Sequence, residues 1–450
     1  MLLFKRIILL RCGKMLIYDE KHECASQEDM RSLQLSKLKK IVEYAYENVP
    51  FYKKKYDAAG VKPGDIKTLK DIERLPFVEK SDLRDNYPYG LAAVDIEDTV
   101  RIHASSGTSG KPTVVFYTRD DLETWTECMA RIVTMGGVTK KDIVQVSFGY
   151  GLFTGALGLH QGLERVGATV VPASSGNTER QVMLMHDLGV TGMVCTPSYA
   201  LHISEVMAAS GYKKEDFKLK WALLGSEAST LEMHKEISRR LGVFPTDNYG
   251  LSEIIGPGVS GECLEKNGMH VNEDHFYPEI VDSETLEAVK DGEWGELVLT
   301  ALDKFGMPMI RYRTKDITRL NREPCKCGRT LVRMDRIKGR SDDMLKIRGV
   351  NVFPSQIESV LMEMPEIGGQ YHITVKRENF SDVLEVAVEV ADANLLTDYG
   401  NLQKLVQKVK HNLRVVLQID AVVKLVEPLS LKRFEGKAQR VTDLRNKKEF

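Results

Sequence analysis

Net charge is what this sequence most lacks. Its 63 lysines and arginines meet 64 aspartates and glutamates, leaving a balance of −1. A chain so even does not hold nucleic acid or an anionic membrane surface by bulk electrostatics, and no partner of either kind is expected. Long apolar runs are missing as well. The apolar opening, "MLLFKRIILLRCGK" over residues 1–14, is far too short to span a bilayer and lacks a small-residue cleavage site. It reads as a disordered tail or a mis-called extension, with Met15 of "MLIYDEKHECAS" as the natural start. Cysteine is sparse. Seven residues, odd in number and scattered, exclude a disulfide framework and point to a reducing cytoplasm. There is no internal repeat and no low-complexity tract. What remains is a 450-residue chain, 42% hydrophobic and 28% charged, with room for roughly three domain-sized units.

A Walker A loop is also absent, although one stretch suggests it. "ASSGTSGKPTVVF", residues 104–116, gathers five hydroxyls, two glycines and a lysine. Only two residues separate Gly107 from Gly110, Lys111 is followed by Pro112, and "TVVFYT" beyond reads as strand. The glycines still let backbone N–H groups converge on an oxyanion, so an anion-binding hairpin fits. So does an ordinary Ser/Gly-rich surface turn.

Apolar spacing over Leu35, Leu38, Val42, Ala45 and Val49 predicts a helix that Pro50 ends. From residue 120, short apolar runs recur about every 25 residues ("DIVQVSFG", "GATVVPAS", "VTGMVCTPS", "LKWALLGSE", "VFPTDNYG") with helical stretches between them. This rhythm predicts an α/β fold built on a largely parallel sheet, with ligands bound beyond the carboxyl ends of its strands. Strand-and-turn sequence follows residue 290, and after "GRSDDMLKIRGVNVFP" comes a compact α+β unit. We expect a large domain over 15–339, its mainly parallel sheets flanked by helices, and a small mobile C-terminal domain over 340–450.

"SSGTSGKPT", "DNYGLSE", "IRYRTKD", "GRSDDMLKIRGVNVFPSQIE" and "EGKAQRV" stand in the order and spacing of adenylate-forming ligases. With "FGYGLFTG", "DHFYPEI" and "CKCGRTLVRMDRIKGRSDDM", the chain closely resembles the phenylacetate–coenzyme A ligase family from Met15 onward. The resemblance implies ATP-dependent activation of an arylacetic acid as acyl-AMP, then transfer to coenzyme A with release of AMP and pyrophosphate. Family members that adenylylate a deazaflavin, or enzymes that load a carrier-protein thiol, share the nucleotide motifs and are the alternatives. The resemblance also implies a homodimer.

Carried over residue by residue, the resemblance makes Lys437 the catalytic cation and Glu253 the Mg²⁺ ligand and second catalytic residue. Ser105, Ser106, Gly107, Thr108, Ser109, Gly110 and Lys111 would hold phosphates. Ser226, Glu227, Asp247, Tyr249, Gly250, Asp316 and Arg340 would surround the nucleoside, and Asp342 would be the hinge. Two positions depart from the pattern: Thr113 stands where many relatives carry lysine, and Asn351 where some carry arginine. Tyr150 and Phe153, with the small Gly225 behind them, would admit a flat ring, though aromatic core packing fits these side chains too. The pair Cys325-x-Cys327, with Cys263 and His270 from a stretch where some relatives bind zinc, would close a Cys₃His structural site; His275 is the alternative fourth ligand.

Overall fold

The computed structural model describes residues 16–105, 112–348, 350–378, 381–397, 399–434 and 438–445. Helix α1 (Gln27–Asn48) opens on Ser26, whose hydroxyl accepts from the Asp29 amide, and buries Leu38, Ile41, Val42 and Ala45. Pro50 ends it, as its sequence predicts, and then begins the next helix, where a missing N–H costs nothing. Strands β1 (Arg101–Ser105) and β2 (Thr113–Tyr117) pair antiparallel, with Ser105 opposite Thr113. Ser106 to Lys111, between them, lie outside the described residues.

The predicted alternation follows as helix α2 (Arg119–Met135), β3 (Ile143–Val146), α3 (Gly155–Val166), β4 (Thr169–Val171), α4 (Thr178–Asp187) and β5 (Gly192–Cys195). It continues with α5 (Pro197–Ala209), β6 (Trp221–Leu224), α6 (Leu231–Leu241) and β7 (Phe244–Leu251). These strands lie parallel in the order β4-β3-β5-β6-β7. Val194 and Leu223 feed the core under α2 and α3, while their neighbours Met193, Ala222 and Leu224 feed the core under α4, α5 and α6. This alternation buries both faces of the sheet.

Parallel pairing stops at β7. Strands β8 (Gly256–Glu262) and β9 (Met269–Val271) fold back antiparallel, because their connections are too short to hold a crossover helix. β10 (Phe276–Val281), β11 (Gly295–Ala301) and β12 (Tyr312–Thr318) start a second sheet. β13 (Leu320–Asn321) and β14 (Arg333–Met334) return to extend the first to nine strands, and β15 (Gly339–Arg340) completes the second, antiparallel throughout.

From Leu345 the chain builds a separate core. A hairpin of β16 (Leu345–Ile347) and β17 (Val350–Val352) leads to α7 (Pro354–Met362), then β18 (Ile367–Glu378), β19 (Ser381–Val390), α8 (Tyr399–Leu417), β20 (Ala421–Val426) and β21 (Val441–Asp443). Their sheet runs β20-β19-β18-β21, and Val360, Leu361, Ile373, Val386, Val409 and Leu413 fill the space beneath the helices. Among the described residues, no helix is long and apolar enough to cross a membrane.

Helices α2 and α3 cross almost backbone to backbone. A Cβ on Gly162 would stand 2.4 Å from Met129 Cβ and 2.7 Å from its carbonyl carbon. Gly162→Ala should therefore cost about 1–3 kcal/mol of stability through overpacking. Urea unfolding measures it, and an unchanged midpoint would contradict this packing.

Candidate active site

The carboxyl ends of β6 and β7 carry Gly225-Ser226-Glu227 and Asn248-Tyr249-Gly250 to a cavity of about 830 Å³ between the two lobes. Ser226, Glu227, Asp247, Tyr249, Gly250, Asp316, Arg340 and Asp342 all line it, although they come from distant parts of the sequence. Gly225 sits just behind. A Cβ there would meet Asn248 Oδ1 at 2.8 Å, so only glycine lets the ends of β6 and β7 approach this closely.

One chain of contacts crosses the cavity wall. The Tyr249 hydroxyl donates to Asp316 Oδ2 at 2.6 Å, and Arg340 Nη1 donates to Asp316 Oδ1 at 3.1 Å. Strand register produces the second contact, since Asp316 on β12 is the partner of Arg340 on β15. Arg340 also grips both oxygens of Asp342, at 2.8 and 2.9 Å. Burial and the Asp316 carboxylate push the Tyr249 phenol well above its ordinary pKa, so it acts here as a donor.

Asp247 lines the cavity with its carboxylate already engaged. Ser229 Oγ and His234 Nε2 meet Oδ1 at 2.8 and 2.9 Å, and Arg336 Nε meets Oδ2 at 2.6 Å. Burial alone would raise this carboxyl; His234, Arg336 and Lys266 more than offset it and hold it far below the usual range. Glu262, beside it, takes Arg336 Nη2 at 2.6 Å and Lys266 Nζ at 2.7 Å. His234, Asp247 and Glu262 have the spacing of metal ligands, but these two cations already fill the space between them.

Glu253 follows β7, is 5% exposed and faces the Lys80 ammonium at 3.4 Å. The Ser105 hydroxyl, at the end of β1, is buried without a hydrogen-bond partner among the described residues. Lys437 lies outside the described residues.

The expected aromatic wall does not assemble at this cavity. Tyr150 hydrogen-bonds to His160 Nδ1 at 2.9 Å, and burial pushes its phenol up to about 12. Phe153 is 53% exposed, and neither ring is among the residues that line the cavity. The reason lies in the neighbouring backbone. The Leu152 carbonyl accepts from the Ala104 amide at 2.9 Å and meets His103 Nδ1 at 3.0 Å, which pins the loop along β1.

The four proposed zinc ligands, by contrast, do meet. Cys263, His270, Cys325 and Cys327 are all buried, with their ligand atoms within 4.8 Å of one another. Cys263 Sγ stands 3.8 Å from Cys325 Sγ, and Cys327 Sγ stands 3.4 Å from His270 Nε2. Tetrahedral bonds of about 2.3 Å to sulfur place ligand sulfurs roughly this far apart. Hydrogen bonding with Cys263 and His270 holds the Cys327 thiol well below its ordinary pKa. His275, the alternative ligand, is turned instead to Asp303 Oδ2 at 2.7 Å.

The sequence profile of AMP-binding enzymes matches residues 12–301, and that of the AMP-binding enzyme C-terminal domain matches residues 349–445. The chain is 46% identical over 448 residues to phenylacetate-coenzyme A ligase of Thermus thermophilus, covering 96% of this chain and 100% of that protein. It is 47% identical over 426 residues to the Escherichia coli enzyme of the same name, covering 94% and 97%. The chain belongs to the phenylacetate–coenzyme A ligase family of AMP-binding enzymes.

Among solved structures, 2-hydroxyisobutyryl-CoA ligase in its postadenylation state superposes with a TM-score of 0.90 at 29% identity, over 96% of this chain and 93% of that one. The same enzyme with 2-HIB-AMP and CoA in the thioesterification state scores 0.71 at 31% identity, over 95% and 92%. The lobes of this family member are thus placed as in the postadenylation arrangement.

Reading the sequence alone misses Lys80, Arg336 and Lys304. Lys304 carries the clearest signal, a lysine that follows Asp303 in the mostly apolar "ALDKFGMPMI". It is 2% exposed, with its ammonium 3.4 Å from the Glu253 carbonyl and 4.9 Å from the centre of the Tyr117 ring. Burial lowers its pKa to about 8. Between about pH 8 and 10 the unfolded chain keeps a proton that the folded one has released, so this lysine makes folding more favourable as pH rises. Urea titrations from about pH 7 to 10 should show stability shifting toward the wild type relative to Lys304→Met. A difference independent of pH would contradict the burial of this ammonium.

Proposed function

We propose that this protein activates an arylacetic acid such as phenylacetate with ATP and passes the acyl group to coenzyme A. In the first step a carboxylate oxygen attacks the α-phosphorus, the bond to the β-phosphate breaks and pyrophosphate leaves. In the second, the coenzyme A sulfur attacks the acyl carbon, its proton is lost to solvent and AMP leaves. The observation that carries this reading is the Tyr249–Asp316–Arg340 chain at an interlobe cavity, in a protein 46–47% identical to phenylacetate-coenzyme A ligases. A deazaflavin or carrier-protein acceptor gains no support from these relatives.

Asp316 would accept from the ribose hydroxyls, with Tyr249 against the base and Arg340 beside them. Ser105, Ser106, Thr108, Ser109 and Lys111 would hold the β- and γ-phosphates, Gly107 and Gly110 letting the backbone close around them. Glu253 suits a hard cation, being a buried carboxylate, and Mg²⁺ held there would offset phosphate charge. Lys437 would stabilise charge developing between the carboxylate and the α-phosphate, as a compact ammonium can. We place the lobes at 15–339 and 340–450 with Asp342 as the hinge; the separate core that begins at Leu345 supports this division. Tyr150 and Gly225 remain our candidates for the acid pocket, whereas the exposure of Phe153 argues against including it. We also propose a homodimer in the cytoplasm, a compartment that keeps the thiol cluster reduced.

With a panel of arylacetic and benzoic acids, Mg²⁺ and coenzyme A, the protein should yield AMP and pyrophosphate in equal amounts, fastest with an arylacetate. Lys437→Ala should slow acyl-adenylate formation on the order of 10²–10³-fold while sparing thioester formation from supplied acyl-adenylate. Absence of AMP with every acid rejects the reading.

We further propose that Cys263, His270, Cys325 and Cys327 hold a structural Zn²⁺, since four protein ligands leave no open position for chemistry. Elemental analysis of protein purified without chelator should find about one zinc per chain, and chelation should lower the melting temperature. Substoichiometric zinc would end the proposal.

A further inference from the structure

We propose that Glu205 of the large lobe and Arg433 of the small lobe form a clasp that holds the two lobes in the arrangement for acid activation and opens for thioester formation. The inference rests on the ligase reading above, and names two positioning residues for it.

Arg433 is set in place by its own lobe. Its Nη1 and Nη2 donate to the two oxygens of Glu389 on β19 at 2.5 and 2.8 Å, and Nη1 also donates to the Leu431 carbonyl at 2.9 Å. Glu389 is 2% exposed and accepts from the Leu431 amide as well, so the guanidinium is held rigidly. The remaining edge of that guanidinium faces the other lobe. There Nε meets Glu205 Oε2 at 3.1 Å and Nη2 meets Oε1 at 3.3 Å, a two-pronged contact between side chains only 14% and 18% exposed. Burial would raise the Glu205 carboxyl, but hydrogen bonds with His202 and Arg433 hold it below the ordinary value, so it is ionised at neutral pH.

A second contact joins the lobes at Ala438. The Ala438 amide donates to Glu227 Oε1, and Glu227 Oε2 accepts from the amide and hydroxyl of Ser198. Ser198 and Glu205 lie on the same helix, α5. Large-lobe carboxylates therefore hold the small lobe at two points, Arg433 and Ala438. Holding the lobe at two points restricts its rotation before the reaction, which is how positioning lowers a barrier.

The clasp is also built to open. Both contacts cross between lobes, so turning the small lobe breaks them. Arg433 then keeps Glu389, and Glu205 keeps His202, whose Nδ1 lies 3.5 Å from Oε2. Neither charge is stranded, so separation avoids the large penalty of an unpaired buried ion. This structure matches the postadenylation arrangement of 2-hydroxyisobutyryl-CoA ligase better than the thioesterification one, TM-score 0.90 against 0.71. Contacts made in only one arrangement shift the balance toward it.

The test uses Glu205→Gln, Arg433→Gln and the double variant of the full chain. Two rates are read separately: pyrophosphate release without coenzyme A, and thioester formation from supplied phenylacetyl-adenylate and coenzyme A. Each single variant should lose about ten-fold in the first rate, and the double variant should be no slower than the slower single, as expected for residues acting as one unit. The second rate should stay within about two-fold of wild type or rise, which also reports that the variants are folded. Equal losses in both rates, no loss in the first, or losses that multiply in the double variant each overturn the clasp while leaving the ligase reading intact. A wild type that releases no pyrophosphate with any acid overturns the ligase reading, and the clasp falls with it.

Discussion

Asp316 and Arg340 face each other across β12 and β15, and the organisation of the cavity follows from that pairing. Asp316 is held on its other oxygen by Tyr249, which ends the parallel half of the large sheet. Arg340 is the last residue the second sheet holds before the chain leaves for the small lobe, and it reaches forward to Asp342. One carboxylate and one guanidinium thus join the first sheet, the second sheet and the proposed hinge. An ion pair suits this junction better than apolar packing would, because its partners can trade hydrogen bonds for those of the ribose proposed to bind here without losing solvation.

The wall behind the pair is polar and buried, yet its charges are matched. Asp247 and Glu262 share Arg336, Lys266 joins Glu262 to His234, and Ser229 completes Asp247. Arg336 comes from the segment just before β15, so the network fixes the approach to Arg340 from the other side. The sheet geometry makes this network necessary. β7 is where parallel pairing gives way to antiparallel, and the polar side chains buried at its carboxyl end need polar partners. The buried Cys₃His cluster lies at the far end of the same antiparallel half, where β9 and β14 are only three and two residues long.

Much of this was legible beforehand, for reasons particular to the residues concerned. Apolar runs every 25 or so residues announced β3 to β7, because strands buried on both faces have no alternative but continuous hydrophobic sequence. Tyr249, Asp316, Arg340 and Asp342 were singled out because the motifs that carry them resemble those of adenylate-forming ligases. The cysteine pair stood out by its close spacing in a glycine-containing turn. Phe153 misled, since an aromatic residue after "FGYGL" reads as a pocket wall until the Leu152 carbonyl is seen tied to β1. Lys304 was overlooked because the neighbouring Asp303 makes a lysine there read as a surface ion pair, and only its burial shows otherwise.

Local pattern alone determined which segments would be helix or strand and that two separate cores would form. Those properties depend on spacing between near neighbours in the chain. Only the tertiary structure decided that Asp247 would serve a buried ion network, that His270 rather than His275 would join the thiols, and that Glu205 would meet Arg433. Each of those pairings spans tens to hundreds of residues, and its partners are selected by the register of strands and the placement of lobes, neither of which a short stretch of sequence encodes.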